Sequence, residues 1–236
     1  MSAVTSFEKQ GFLVINGTHG IAPALILRAA QRHATIVFTA PTDCAGDAER
    51  LVQQAAIAGL SERVSFIPAD LIDENAVEQL GDAAVERLPG LNALIYNLES
   101  RAVLEYKSLV DISLTEWNDV LANELRVPFM LAQRAVEEYL FGQVGGRIVY
   151  ITYAGGDGVI PSASYAAAQT GLRALVRCVT KEFGRREVAC NAVIAHQDHG
   201  RATPDELIES VLFFASAESA FVNGEFLDIG YQNVTG

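Results

Sequence analysis

Cysteine is scarce: Cys44, Cys178 and Cys190 are the only three in 236 residues. An odd number with no C-x-x-C spacing provides neither a disulfide framework nor a zinc site, so three reduced thiols packed as small apolar groups are expected. Cations are also in short supply, with 17 Lys and Arg against 29 Asp and Glu, a net charge of −12. A surface that negative repels phosphate backbones and anionic lipid headgroups, which argues against nucleic acid and membranes as partners. No run reaches the roughly 18 uncharged apolar residues of a membrane span. The opening Met1–Gln10 has no basic segment followed by an apolar one, so no secretory leader is read there and a cytoplasmic protein is expected.

What the chain does have is core material. Half its residues are hydrophobic and only 19% are charged, so disorder on compositional grounds is excluded. Short β-branched runs alternate with longer segments of helical period, the pattern of successive βαβ units. Strands are expected at Phe12–Asn16, Thr35–Thr39, Val64–Pro68, Ala93–Tyr96, Arg147–Ile151, Ala189–Ile194 and Glu225–Ile229. Several are apolar on both faces, as strands covered by helices on each side must be. Helices are expected near Pro23–His33, Ala45–Ala58, Asn75–Glu86, Leu114–Leu140, Ser162–Phe183 and Pro204–Ala215. Asp73 with Glu74, and Ser113 ahead of Glu116, supply helix starts. The fold class is α/β: a single-domain Rossmann-like doubly wound seven-stranded parallel sheet with helices on both faces. Residues 1–10 read as a flexible lead-in, and no repeat or linker divides residues 1–236.

In this order, the motifs resemble those of the short-chain dehydrogenase/reductase family over essentially the whole chain. The family's glycine turn falls on Asn16–Ala22, with Gly17 and Gly20; its acidic mark after the third strand falls on Asp70. The N-N-A-G stretch falls on Tyr96–Asn97–Leu98–Glu99, the helix asparagine on Asn123, and Y-x-x-x-K on Tyr165 to Gln169. V-N-x-x-x-P-G falls on Cys190 to His196, and the closing pattern on Val211–Ser216 followed by Val222–Asn223–Gly224. The resemblance implies catalytic roles at Tyr165, Asn123 and a hydroxyl at the end of the fifth strand, and cofactor contacts at Gly17, Gly20, Asp70 and Asn97. That hydroxyl is Thr152 counted back from Tyr165, but counting from the strand puts Tyr153 there.

Set beside the family pattern, several chemical elements are missing. The two glycines are one residue closer than usual, Ala22 replaces the third, and His19 enters the loop; the turn can receive a phosphate or serve only as a turn. Thr39–Ala40–Pro41 offers no acid or base to select a ribose hydroxyl or phosphate. Asp70 can meet an adenine or simply precede a helix. Glu99 stands where the family keeps a glycine, and at an effective dielectric near 20 a like charge about 4 Å away costs about 4 kcal/mol. Gln169 replaces the lysine. A phenol of pKa near 10 is a poor proton carrier at neutral pH without a neighbouring cation, and an amide supplies no charge. Where the family carries a long substrate lid, only Gln197–Thr203 separates the sixth strand from Pro204. The His196–Gln197–Asp198–His199 cluster reads as a short solvated turn rather than a metal site.

Surfaces that the family uses for assembly are kept. The helices 114–140 and 162–183, rich in small and apolar residues, and the C-terminal strand imply a homo- or hetero-oligomer, a tetramer by resemblance. The function expected is a non-catalytic short-chain dehydrogenase-like subunit paired with an active homologue acting on hydroxyacyl-CoA or a similar alcohol or ketone. Heteromeric dehydrogenases of the (hydroxybenzyl)succinyl-CoA type are the precedent. No tightly bound cofactor is expected, and NAD or NADP if any binds. Two alternatives stay open: an active NAD(P)-dependent reductase using Tyr165, and a nucleotide-binding sensor without catalysis.

Overall fold

The computed structural model describes residues 5–71, 74–98, 107–154 and 162–231. Seven strands form one parallel sheet: β1 (Gly11–Ile15), β2 (Thr35–Ala40), β3 (Val64–Pro68), β4 (Leu91–Asn97), β5 (Gly146–Ala154), β6 (Val188–Ala202) and β7 (Phe226–Tyr231). Their order is β3-β2-β1-β4-β5-β6-β7. The chain therefore winds outward through β2 and β3, crosses β1, and winds the other way from β4, which is the doubly wound single domain expected. Between β1 and β4 the winding reverses, and a crevice opens at the carboxyl ends of these strands.

Side-chain alternation sends each strand's apolar residues into two cores. On one face Phe12, Val14, Ile36, Phe38, Val149, Ile151 and Val193 pack under α1 (Ala22–Gln31), α2 (Ala45–Ile57) and α7 (Pro204–Ala215). On the other, Leu13, Ile15, Val37, Leu94, Ile148 and Tyr150 lie against α3 (Glu74–Val85), α5 (Val127–Phe141) and α6 (Ala163–Phe183). Each fully buried Leu or Ile contributes roughly 1.5–3 kcal/mol of transfer free energy, which is why strands apolar on both faces settle at the centre. The lead-in is tied down at Phe7, which is fully buried with its ring 5.0 Å from Phe12.

Local signals set the helix boundaries. Ser113 accepts from the Glu116 backbone N–H and Glu116 returns to the Ser113 N–H, a capping box at the start of α4 (Leu114–Leu121). Thr203 and Glu206 repeat the device at α7. Asp73, the other expected start, lies outside the described residues. The helix expected over 114–140 runs as α4, a single widened π turn at Ala122–Arg126, and α5. Pro128 explains the widening: it has no N–H for the Glu124 carbonyl four residues back, and its ring would clash there.

One expectation changes. Residues 197–203, read as a turn, belong largely to β6, which continues to Ala202. Gln197 and Ala202 both pair with Tyr231 of β7, so the residues between them bulge out of the ladder.

Candidate functional site

The crevice floor is built by main chain and amides. Asn16 follows β1 at φ 57°, a left-handed conformation that asparagine tolerates. Its Nδ2 donates to the Asn97 carbonyl at 3.0 Å, and the Asn97 Nδ2 donates back to the carbonyls of Asn16 and His19, both at 3.2 Å. Asn97, fully buried, thus holds the β1–α1 turn to β4. Gly17 is needed for internal packing: a Cβ there would lie 2.7 Å from Phe38 Cδ2 and 2.8 Å from Ile26 Cδ1. Gly20 sits at φ 54° and allows the turn into α1.

A helix N-terminus binds anions through its unpaired N–H groups. In α1 two of these are lost. The Ala22 N–H already donates to the His19 carbonyl at 3.1 Å, and Pro23 has none. The hydroxyls of Thr18 and Thr39 are buried with no partner among the described residues. Asp70 is engaged elsewhere: its carboxylate accepts from the Thr42 N–H at 2.9 Å and the Thr42 hydroxyl at 2.7 Å. These bonds, the hydroxyl's first, hold its pKa below the ordinary value.

Tyr165 is placed by the start of α6. Ser162 caps that helix by accepting from the Tyr165 N–H, which fixes the tyrosine in the first turn. The ring is buried, and its Oη donates to the Tyr153 carbonyl at 2.6 Å. Burial first, then the charge of Glu124, raise its pKa above the ordinary phenol value. Gln169, one turn on, has its Nε2 buried with no partner among the described residues. Thr152 is buried on β5 beside Ile194 of β6. Asn123 faces solvent, and only its backbone takes part here, its carbonyl accepting from the Tyr96 hydroxyl at 3.2 Å. Glu99 and residues 155–161 lie outside the described residues.

One participant escaped the sequence reading. Glu124, on the π turn, is 2% exposed, and its Oε2 has no partner among the described residues. Burial raises its pKa to about 8, and its carboxylate opposes ionisation of both Tyr165 and Tyr96. The signal was available: with Leu121, Val127 and Leu131 it lies on an apolar helical stripe, where a carboxylate is out of place. Tyr153, one of the two positions weighed for the strand-end hydroxyl, also takes part. Its ring packs against the core under α1 and α7, and its hydroxyl donates to Asn97 Oδ1 at 3.2 Å.

Away from the crevice, the two long helices leave adjoining apolar grooves of about 610 and 340 Å3. Phe129 and Leu175 line both; Leu121 and Leu125 extend the first, Val136 and Phe183 the second.

Comparison with known proteins fits this architecture. The family model described as Enoyl-(Acyl carrier protein) reductase matches residues 15–197. The chain belongs to the short-chain dehydrogenase/reductase family. It is 27% identical to a short-chain dehydrogenase/reductase of Hericium erinaceus, covering 95% of this chain and 99% of the relative. It is 25% identical to the cis-4-hydroxycyclohexanecarboxylate dehydrogenase of Sinomonas cyclohexanicum over 97% of this chain and 99% of that one. The solved citronellol catabolism dehydrogenase of Pseudomonas aeruginosa PAO1 superposes with a TM-score of 0.82 at 22% identity, covering 96% and 95% of the two chains. That likeness concerns the fold.

Relatives in this family use NAD or NADP, and the residues of this short-chain dehydrogenase/reductase fit such a group poorly. The turn that would cradle a pyrophosphate has lost two helix N–H donors, Gly17 is filled by its own core, and Asp70 is committed to Thr42. The phenol is bound to a main-chain carbonyl next to a buried carboxyl, with an amide in the lysine's place. Among the described residues no cluster of His, Cys, Asp and Glu is arranged to hold a metal, and no helix is long and apolar enough to cross a membrane.

Proposed function

We propose that this short-chain dehydrogenase/reductase chain is a subunit that does no chemistry of its own and completes or stabilises an active homologue, in a hetero-oligomer of the hydroxyacyl-CoA or related alcohol and ketone dehydrogenases. The observation that carries this reading is the Tyr165 hydroxyl. A proton carrier must reach the reacting oxygen and change charge near neutral pH. Tyr165 instead gives its hydrogen to the Tyr153 carbonyl, is buried, and faces Glu124 rather than an ammonium. Burial first, then Glu124, favour the neutral phenol.

The apolar grooves around Phe129 and Leu175 support assembly. Phe129 is 48% exposed, costly to leave in water and well placed as an anchor between paired helices. Assembly through the long helices and the C-terminal strand is the arrangement proposed, with a tetramer as its size.

The test is co-expression with a complete family member carrying both Y-x-x-x-K and the full glycine turn, encoded beside this chain. The reading predicts a stable complex whose activity survives Tyr165→Phe in this chain and is lost when the partner's own tyrosine is replaced. A fully active homo-oligomer of this chain alone would refute it. The competing reading, an active NAD(P)-dependent reductase using Tyr165, draws on the dehydrogenase and reductase names of relatives that match along nearly the whole chain.

A further inference from the structure

In an open α/β sheet the crevice at the strand carboxyl ends, where the winding reverses, is where a ligand enters. Here that crevice is crossed by the chain's own side chains. From β5, the Tyr153 hydroxyl reaches Asn97 Oδ1 on β4 at 3.2 Å. Asn97 in turn donates to the carbonyls of Asn16 and His19 beyond β1, and Asn16 donates back to the Asn97 carbonyl. A continuous hydrogen-bonded bar therefore runs β5 to β4 to β1 over the switch point.

Tyr153 is engaged at both its ends. Its hydroxyl is held by Asn97, and its carbonyl accepts from Tyr165 at 2.6 Å. Its half-buried ring rests against the core on the α1 and α7 face, on the same side of the sheet as Ala195 of β6, its strand neighbour. Counted from the strand, though not back from Tyr165, this is where the family resemblance implies a hydroxyl, and by that count a phenol carries it. The bar is self-satisfied: the polar ends of Tyr153, Asn97 and Tyr165 all have partners from within it.

We infer that Tyr153 is a built-in plug of the dinucleotide crevice, and that its ring is the main obstruction to a nicotinamide dinucleotide at a turn already short of helix N–H donors. This rests on the reading above, that the crevice carries no turnover, and it identifies the obstruction. A ligand crossing the switch point must displace a packed aromatic ring and break the Tyr153–Asn97 bond. Removing the ring leaves Asn97 Oδ1 free to accept from a ligand hydroxyl or carboxamide. The hydroxyls of Thr18 and Thr39, without partners among the described residues, lie on the two segments flanking Gly17, by the same turn.

The experiment is calorimetric titration of the full-length protein and of Tyr153→Ser, Tyr153→Ala and Tyr153→Phe with NADH and with NADPH. Circular dichroism and melting temperature establish that each variant is folded. The Ser and Ala variants are expected to bind one of the two dinucleotides with a Kd lower by about tenfold or more, the scale of one relieved competition. Phe, which keeps the ring, is expected to stay with the wild type. Folded Ser and Ala variants that bind no more tightly than the wild type would overturn the plug and leave the non-catalytic reading standing. Tight binding by the wild type without turnover would do the same. Oxidation of NAD(P)H by the wild type would overturn both.

Discussion

The Tyr165 hydroxyl lies 2.6 Å from the Tyr153 carbonyl, within a hydrogen bond from the first turn of α6 to the end of β5. A phenol in that position acts as a brace between helix and sheet.

As a brace, its loss should register in stability. Tyr165→Phe keeps the ring and strips one neutral hydrogen bond, so urea unfolding is expected to show a loss of about 1 kcal/mol, up to about 3 if the carbonyl is left dry. A variant as stable as the wild type would show that the bond contributes nothing.

Glu124 makes stability depend on pH. Its carboxyl has a pKa of about 8 in the folded chain against an ordinary value of 4.5, because burial penalises the charge. The folded state therefore holds a proton that the unfolded state releases. The stability linked to that proton is full below about pH 4.5 and is lost as pH rises through about 8, at most about 1.4 kcal/mol per unit. Glu124→Gln, neutral throughout, should match the wild type near pH 5 and exceed it increasingly toward pH 8–9 in denaturant midpoints. Parallel curves would count against a carboxyl kept neutral by burial.

Asn97 ties three segments together. Asn97→Ala removes its bonds to the Asn16 and His19 carbonyls and to the Tyr153 hydroxyl. A loss of about 2–4 kcal/mol is expected. Hydrogen exchange should show the loosening at the β1–α1 turn, and unchanged protection there would contradict the role given to the amide.

How much of this was legible beforehand follows from the kind of signal involved. Strands apolar on both faces announced the parallel sheet, and Ser113 with Glu116 announced the start of α4. Tyr165 and Gln169 were reached through the family resemblance. The destination of the Tyr165 hydroxyl was not, because a main-chain carbonyl carries no sequence mark. The π turn was hidden behind Pro128, whose effect falls on Glu124 four residues earlier. The extension of β6 to Ala202 escaped because it depends on β7 arriving beside it, a tertiary matter that the polar residues 197–201 do not reveal.

The grooves on the long helices predict assembly. Phe129→Glu or Leu175→Glu sets a charge in the shared part of both grooves and should convert an oligomer to monomers in light scattering, with little change in the monomer's own melting. An oligomer indifferent to both changes would place the interface elsewhere.

The most direct measurement is NADH and NADPH oxidation by the homogeneous wild-type chain alone, with 3-oxoacyl and simple ketone substrates, beside its Tyr165→Phe variant. A phenol bound to a backbone carbonyl and facing a carboxyl predicts no oxidation above the blank for either protein. Brisk oxidation by the wild type that the variant lacks would contradict it.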